Sequence, residues 1–397
     1  MKPEERPSGA AAAVVAHVIT LLEWGGAQEN TLATVAGLDP ALFEPILVAG
    51  KGGLLDARAA ALPGCRFVTV SSLVRPVSPA RDLAALFALW RIFRRLKREA
   101  NGRPLLVHTH SSKAGILGRA AARAAGADAI VHSVHGFGFH DGQPALVRRF
   151  FVLLERLASR WTDAFVAVAG ENVKTGVRER IFSEGRCRLI RSGFDTARFS
   201  SGSRERGRRA LGVPEGAPVV GTVAVFKPQK APLDFVAAAA RIAAAVPDAW
   251  FAVAGDGELR PAVEAAVRRA GLAHRFRLLG WRNDVPDLLK AFDVFLLTSR
   301  WEGLPRVVPQ ALLAGTPVVA TAVDGTREIV TDGVDGFLVP PGDVEGLAAR
   351  AVEILAGRAR LDPWFRRERL AEEFDEGTMV RAQERLYLEL LGRREAT

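Results

Sequence analysis

Polar side chains set just after apolar runs are where this sequence has the means to do chemistry. In "SRWEGLPRVVPQALLAGTPVVAT", Ser299 to Thr321, the carboxylate Glu302 opens an apolar segment and the amide Gln310 interrupts it eight residues later. A helix starting near Leu304 or Pro305 is expected, since proline is favoured in a first turn. The free N–H groups of such a start, around Gly303 and Leu304, attract anions. At ~1.5 Å rise per residue the two polar groups then stand roughly 10–12 Å apart. A ligand that touches both must be elongated, with hydroxyls at each end and an anion between, which describes a nucleotide-sugar. The competing reading is a dipole-stabilised carboxylate at a helix start and a satisfied core amide.

The stretch "GTVAVFKPQKAP" places Lys227 and Lys230, two of only eight lysines in the chain, around a Pro-Gln turn at a strand end. A compact ammonium group there suits a phosphate; a solvated loop is the alternative. His135 ends the strand candidate "AIVHSVH", and His108 and His110 end "LLVHTH". Histidines at such ends are expected to face a ligand, so at least one of the three is a functional candidate beside the ordinary structural role. The following "HGFGFHDGQ" reads as a mobile loop, a lid or acceptor contact. In "EWGGAQEN" the pair Gly25 and Gly26 lets a backbone approach a phosphate or sugar. The G-x-G-x-x-G fingerprint is missing there, so a dinucleotide cofactor is not expected. "AGDGEL" is a tight glycine turn that need only link two elements.

The elements that must position these groups alternate strand and helix along the whole chain, the pattern of parallel sheets covered on both faces. The fold class expected is α/β, two Rossmann-like doubly wound domains. The alternation breaks at the polar, Gly/Ser-rich stretch Thr196 to Pro218. The expected organisation is an N-terminal domain over 12–195, a linker over 196–217 and a C-terminal domain over 218–376, with a helix at about 377–393 packing back on the first. In such sheets ligands bind beyond the carboxyl ends of the strands, which is where the groups above fall.

The 397 residues carry a net charge of +10, mostly from arginine, which suits anionic partners such as phosphorylated small molecules or an acidic lipid surface. The basic residues are scattered and match no nucleic-acid-binding pattern, so nucleic acid is not an expected partner. Cys65 and Cys187 form no disulfide framework, and no Cys/His cluster has zinc spacing, which points to a reducing, cytoplasmic setting. The run Ala10 to Leu22 resembles a signal-peptide core. The acidic Glu4 and Glu5 before it, and His17 within it, favour a first strand. "DLAALFALWRIFRRLKREANGR" and "PALVRRFFVLLERLASRW" are both basic and apolar, which fits peripheral membrane docking as well as a buried helix with a solvated rim.

Taken together, "GGAQENTLA", "HTHSSKAGILGRAAARAAG", "VHGFGFH", "FKPQKAP", "AGDGEL", the block from "LLGWRNDVPDLLKAFDVFLLTS" through "VVAT", and "GVDGFLVPPGD" resemble glycosyltransferase family 4 over nearly the whole chain. The long block is the specific part. The resemblance implies the GT-B fold, two domains facing across a cleft, and a retaining, metal-independent transfer with no cofactor beyond the nucleotide-sugar donor. It implies a donor held mainly by the second domain: Glu302 on sugar hydroxyls, Lys230 on the diphosphate, Trp281 or Arg282 near the base. It also implies His135 near the reacting carbon, and Gly25 and Gly26 on the phosphate side. No Asp-x-Asp metal motif stands in a suitable loop.

Two positions depart from the family pattern. A glutamate eight residues after Glu302 is replaced by Gln310, which keeps an acceptor oxygen but loses a charge-assisted hydrogen bond, about 1 kcal/mol. An arginine five residues before the lysine is replaced by Val225, and Lys227 is the nearest substitute cation. The function expected is hexosyl transfer from a nucleotide-diphosphate sugar to a lipid-linked or saccharide acceptor, in cell-surface polysaccharide or glycolipid synthesis. The competing readings are a GT-B sugar-nucleotide epimerase or phosphorylase, or a non-catalytic subunit of a polysaccharide assembly complex.

Overall fold

The computed structural model describes residues 13–140 and 142–395. Ala10 to Ala12 of the first apolar run, the first residue of the expected N-terminal domain, and Asp141 of the glycine-rich loop lie outside the described residues. The chain divides into two compact units, one of residues 1–193 with 376–397 and the other Phe194–Asp375.

The first unit follows the order β1 (Ala13–Ile19), α1 (Gly26–Gly37), β2 (Phe43–Gly50), α2 (Asp56–Ala60), β3 (Arg66–Val70), α3 (Pro79–Glu99), β4 (Leu105–His110), α4 (Ser112–Ala125), β5 (Ala129–Val134), α5 (Ala145–Ser159), β6 (Ala164–Ala167), α6 (Gly170–Arg178) and β7 (Cys187–Leu189). The seven strands run parallel in the order β3-β2-β1-β4-β5-β6-β7. Strand β1 is apolar on both faces because both are covered. Val14, Ala16 and Val18 pack with Leu89 and Phe93 of α3 and Ala121 of α4. Val15 instead packs with Leu106, Val131 and four residues from the far end of the chain, Met379, Val380, Leu386 and Tyr387.

The second unit runs α7 (Thr196–Ser200), α8 (Arg204–Leu211), β8 (Val219–Val223), α9 (Pro232–Ala245), β9 (Trp250–Ala254), α10 (Arg260–Arg269), β10 (Phe276–Leu278), α11 (Val285–Ala291), β11 (Val294–Leu297), α12 (Val307–Leu313), β12 (Val318–Thr321), α13 (Thr326–Ile329), β13 (Gly336–Val339), α14 (Val344–Leu355) and α15 (Arg367–Glu373). Its six strands take the order β10-β9-β8-β11-β12-β13. The last helix, α16 (Glu376–Glu395), returns to the first unit and lies on α1.

The stretch expected as a linker is folded. Ser203 caps α8 by accepting from the Arg206 N–H at 3.2 Å. Arg206 pairs with Asp287 of α11 at 2.8 Å. A Cβ on Gly207 would stand 2.0 Å from the Asp287 carbonyl oxygen, so only glycine allows α8 to lie this close to α11. Polar composition disguised two helices whose exposed faces are charged.

Candidate functional site

In each sheet the order reverses between two strands, β8 and β11 in the second unit and β1 and β4 in the first. Loops leaving the carboxyl ends at such a reversal diverge to opposite faces and leave room for a ligand.

In the second unit the loops after β8, β11 and β12 are bound together. The 3₁₀ turn Pro228–Lys230 follows β8. The Thr298 hydroxyl donates to the Lys230 carbonyl at 2.8 Å. Gln229 donates to the Trp301 carbonyl at 2.9 Å, and the Arg300 N–H donates to the Gln229 carbonyl at 2.8 Å. From the β12 side, Asp324 accepts from the Glu302 N–H at 2.7 Å, and the Gly325 N–H donates to the Gly303 carbonyl at 3.2 Å.

This framework brings Lys230 and Glu302 together. The Lys230 ammonium donates to Glu302 Oε1 at 2.5 Å, with side-chain exposures of 16% and 5%. The Ser299 hydroxyl donates to the same oxygen at 2.5 Å. Glu302 Oε2 has no hydrogen-bond partner among the described residues. An ammonium has three donors, so Lys230 can hold Glu302 and still meet an anion. A buried pair of this kind is costly to break, because one charge is left uncompensated.

The remaining expected groups fall as follows. Gly303 and Leu304 lie before α12, which starts at Val307 rather than at Leu304 or Pro305 and spans only seven residues. The helix starts late because Glu302 and Gly303 are tied to the β12 loop. Gln310 sits in α12, 7% exposed, and its side chain makes no hydrogen bond among the described residues. That does not fit a satisfied core amide. Lys227 is half-buried, and its N–H donates to the Val225 carbonyl at 2.8 Å. Arg282 is engaged with Asp284 at 2.8 and 2.5 Å, which holds the Asp284 carboxyl below its usual range. Trp281 is exposed.

Sequence reasoning undervalued the "AGDGEL" turn. Gly255 and Gly257 have φ of 139° and 155°. Added Cβ atoms there would stand 2.0 Å from the Ala224 carbonyl oxygen and 2.7 Å from that of Phe226. The turn is the bed on which the loop leading to Lys230 lies. Ser299 and Asp324 were also missed: they stand two residues past β11 and three past β12, but their role is to hold Glu302, a contact that no spacing pattern shows.

In the first unit, Gly25 precedes α1 and Gly26 opens it. The Thr20 and Ser111 hydroxyls meet at 2.7 Å at the β1/β4 reversal. The histidines correct an expectation. His108 and His110 are fully buried inside β4, and only His135, just past β5, is half-buried. They form a network with His17. His17 Nδ1 lies 3.0 Å from His110 Nε2, and His110 Nδ1 lies 3.0 Å from His135 Nε2. His108 lies 2.5 Å from the Tyr387 hydroxyl and 2.8 Å from Ser133 Oγ. Burial pushes His17 down to about 3 and holds His108 and His110 well below the usual imidazole range, reinforced by neighbouring histidines. The loop after His135, expected to be mobile, is packed: Phe139 is buried and stacks on Phe137 at 4.8 Å.

The chain was compared with known proteins. Residues 24–198 match the family model "Glycosyltransferase Family 4", and 217–357 match "Glycosyl transferases group 1". The UDP-Gal:alpha-D-GlcNAc-diphosphoundecaprenol alpha-1,3-galactosyltransferase of Escherichia coli is 32% identical over 345 residues, 86% of this chain and 87% of that protein. Among solved structures, sucrose-phosphate synthase of Thermosynechococcus elongatus superposes with TM-score 0.82 at 22% identity, covering 96% of this chain and all of the other. Anabaena HepE, in complex with UDP and glucose, gives 0.79 at 20% identity, covering 95% of this chain and 100% of that one.

Proposed function

Since this chain belongs to the family 4, group 1 glycosyltransferases and has their GT-B fold, we propose that it transfers a hexose-type sugar from a nucleotide-diphosphate sugar, with retention of anomeric configuration, to a lipid-linked or saccharide acceptor in cell-surface polysaccharide or glycolipid synthesis. The observation that carries this reading is the Lys230–Glu302 pair at the strand reversal of the second unit, with a carboxylate oxygen to spare. The E. coli relative, whose name specifies a diphosphoundecaprenol-linked acceptor, supports the lipid-linked class. The competing epimerase, phosphorylase and assembly-subunit readings have no comparable support.

In transfer, the bond from the anomeric carbon to the diphosphate breaks and the acceptor oxygen bonds to that carbon. The leaving diphosphate takes the acceptor proton. Negative charge grows on the leaving group, so a fixed cation beside it stabilises the transition state more than the ground state. Lys230 is assigned that task. Glu302 holds Lys230 in place and offers Oε2 to sugar hydroxyls. Backbone N–H groups near Gly303 and Leu304 serve the phosphates, Gln310 the ribose, and Arg282 lies toward the base. Lys227 stands in for the arginine that Val225 replaces. From the first unit, His135 is assigned to the donor sugar, and Gly25 and Gly26 to the phosphate side. No step requires a metal ion.

Among the described residues no helix is long and apolar enough to cross a membrane. Helices α3 and α5 both neighbour α4 and expose apolar side chains, Leu83 and Phe87 on one and Leu146, Phe150 and Leu153 on the other. Arg91 and Arg94 lie over the Phe87 and Trp90 rings at 5.8 and 5.4 Å. This basic, apolar surface supports docking of a cytoplasmic enzyme on an anionic membrane.

A thermal-shift panel of UDP-, GDP- and ADP-sugars, followed by NMR of the product anomer, tests the proposal. One donor class should stabilise the protein, and transfer should retain configuration. Stabilisation by none, or an inverted product, refutes it.

A further inference from the structure

We infer that His17 and His110 are positioning residues that fix the tautomer of His135, placing its ring proton on Nδ1 and leaving Nε2 as an acceptor. The tautomer follows from the ring contacts together with the burial that keeps the two inner rings neutral; its consequence for turnover rests on the proposed role of His135.

Three imidazoles run in line from the core outward, joined through His17 Nδ1 to His110 Nε2 and His110 Nδ1 to His135 Nε2, each contact 3.0 Å. Each contact needs one proton. Burial keeps His17 and His110 neutral, so each carries a single N–H. The protons can therefore be ordered in two senses only. In the outward sense His17 donates from Nδ1, His110 accepts at Nε2 and donates from Nδ1, and His135 accepts at Nε2. Its own proton then sits on Nδ1. In the inward sense every proton reverses, and His17 must carry its proton on Nε2.

His17 Nε2 decides between them. It is buried and has no hydrogen-bond partner. The outward sense leaves an unpaired acceptor there, whereas the inward sense leaves an unpaired N–H. Orphaned buried N–H groups are the rarer case. The neighbouring imidazole, His108, supplies no acceptor for an N–H there, because both of its ring nitrogens are already engaged. Gln383 donates to Thr34 at 3.0 Å and accepts from the Tyr387 hydroxyl at 3.1 Å. Tyr387 therefore accepts from His108 Nδ1, and His108 Nε2 accepts from Ser133.

His17, His108 and His110 also offer nitrogens within 4.8 Å of one another, a grouping that could hold a metal ion. Five of their six ring nitrogens already have partners, and an ion would have to displace them.

The test labels the histidines of the full chain with 15N and reads each tautomer from two-bond proton–nitrogen correlations. His135 is assigned by the pattern lost in His135→Gln. His135 and His110 should both carry the proton on Nδ1. His17→Leu removes the donor that sets the sense, so His135 should become a mixture. The kcat of transfer should then fall about tenfold, with donor KM changed less than twofold. His17→Asn, whose amide N–H stands near the lost Nδ1–H, should restore both. Protonation of His135 on Nε2 in the wild type, an unchanged His135 pattern in His17→Leu, an unchanged kcat in His17→Leu when His135→Gln itself impairs transfer, or a metal ion that survives dialysis against chelator overturns the inference. Should His17→Leu not fold, the wild-type pattern and His17→Asn decide. Normal transfer by His135→Gln with the Nδ1 pattern present would remove His135 from the reaction while leaving the tautomer order intact.

Discussion

Acid should loosen the first unit before the second. Four histidines of the first unit, His17, His108, His110 and His132, are buried, and burial holds each below the usual imidazole range. Their folded values are depressed. Their stabilising contribution is therefore complete above the unfolded value, near 6.5, and is lost as pH falls below it, because the unfolded chain takes up protons that the folded one refuses. For His17, with a folded value of about 3, moving from pH 7 to pH 5 removes about 2 kcal/mol at ~1.4 kcal/mol per pH unit. Burial lowers the other three as well, so each adds to the loss in the same direction, and the His17 share alone is a sizeable part of the stability of a typical domain, about 5–15 kcal/mol. In the second unit, burial raises the carboxyls of Asp234 and Asp335, so these two gain protons more readily when folded and run the opposite way. Hydrogen exchange read by mass spectrometry and corrected for intrinsic rates separates the units. Opening free energies in β1, β4 and β5 should drop by at least 2 kcal/mol between pH 7 and 5, with no comparable drop in β8, β11 and β12. Values within about 1 kcal/mol across that range in β1, β4 and β5 would show that these imidazoles titrate normally and that the burial reasoning is wrong.

Glu302→Ala strands the Lys230 ammonium in a partly buried site, so it should cost about 3–5 kcal/mol in urea unfolding and abolish donor-dependent transfer; near-normal transfer removes Glu302 from the site. Gln310→Glu should hold nucleotide affinity or raise it by about fivefold, corresponding to about 1 kcal/mol, in calorimetry; a severe loss would return Gln310 to the core. Gly257→Ala should weaken donor binding at least tenfold and lower the melting temperature, because its Cβ would stand 2.7 Å from the Phe226 carbonyl oxygen at a φ of 155°; unchanged binding would show that the Lys230 loop does not depend on this bed. Neutralising Arg94, Arg95 and Arg98 should abolish salt-sensitive binding to anionic vesicles, measured by sedimentation, and vesicle binding that persists unchanged would move docking elsewhere.

Much of this was legible before any coordinates. The apolar runs from Val14 and Val219 announced two parallel sheets, and Lys230 and Glu302 stood out as polar groups just past strands. Their contact was not legible, since it joins residues 72 apart through the β8–β11 pairing. The start of α12 was misplaced because the Asp324 bond to the Glu302 N–H holds that backbone out of the helix. His108 looked accessible because its burial involves Tyr387, more than 270 residues onward, and His110 because it lies against His17 and His108. The same long reach hid the order of protons behind His135.

The return of α16 has a consequence for how the protein is made. A nascent chain emerging from the ribosome delivers all seven strands of the first sheet by Leu189. The face bearing Val15, Leu106 and Val131 then lacks Met379, Val380, Leu386 and Tyr387. About 180 further residues must be synthesised first, on the order of ten to forty seconds at ~5–20 residues per second. During that interval the part of this face that α16 covers, beside the residues of α1 that already pack there, is open to water, which makes the growing polypeptide a natural client for a chaperone. Translation halted before residue 376 would release a product that aggregates rather than a working half.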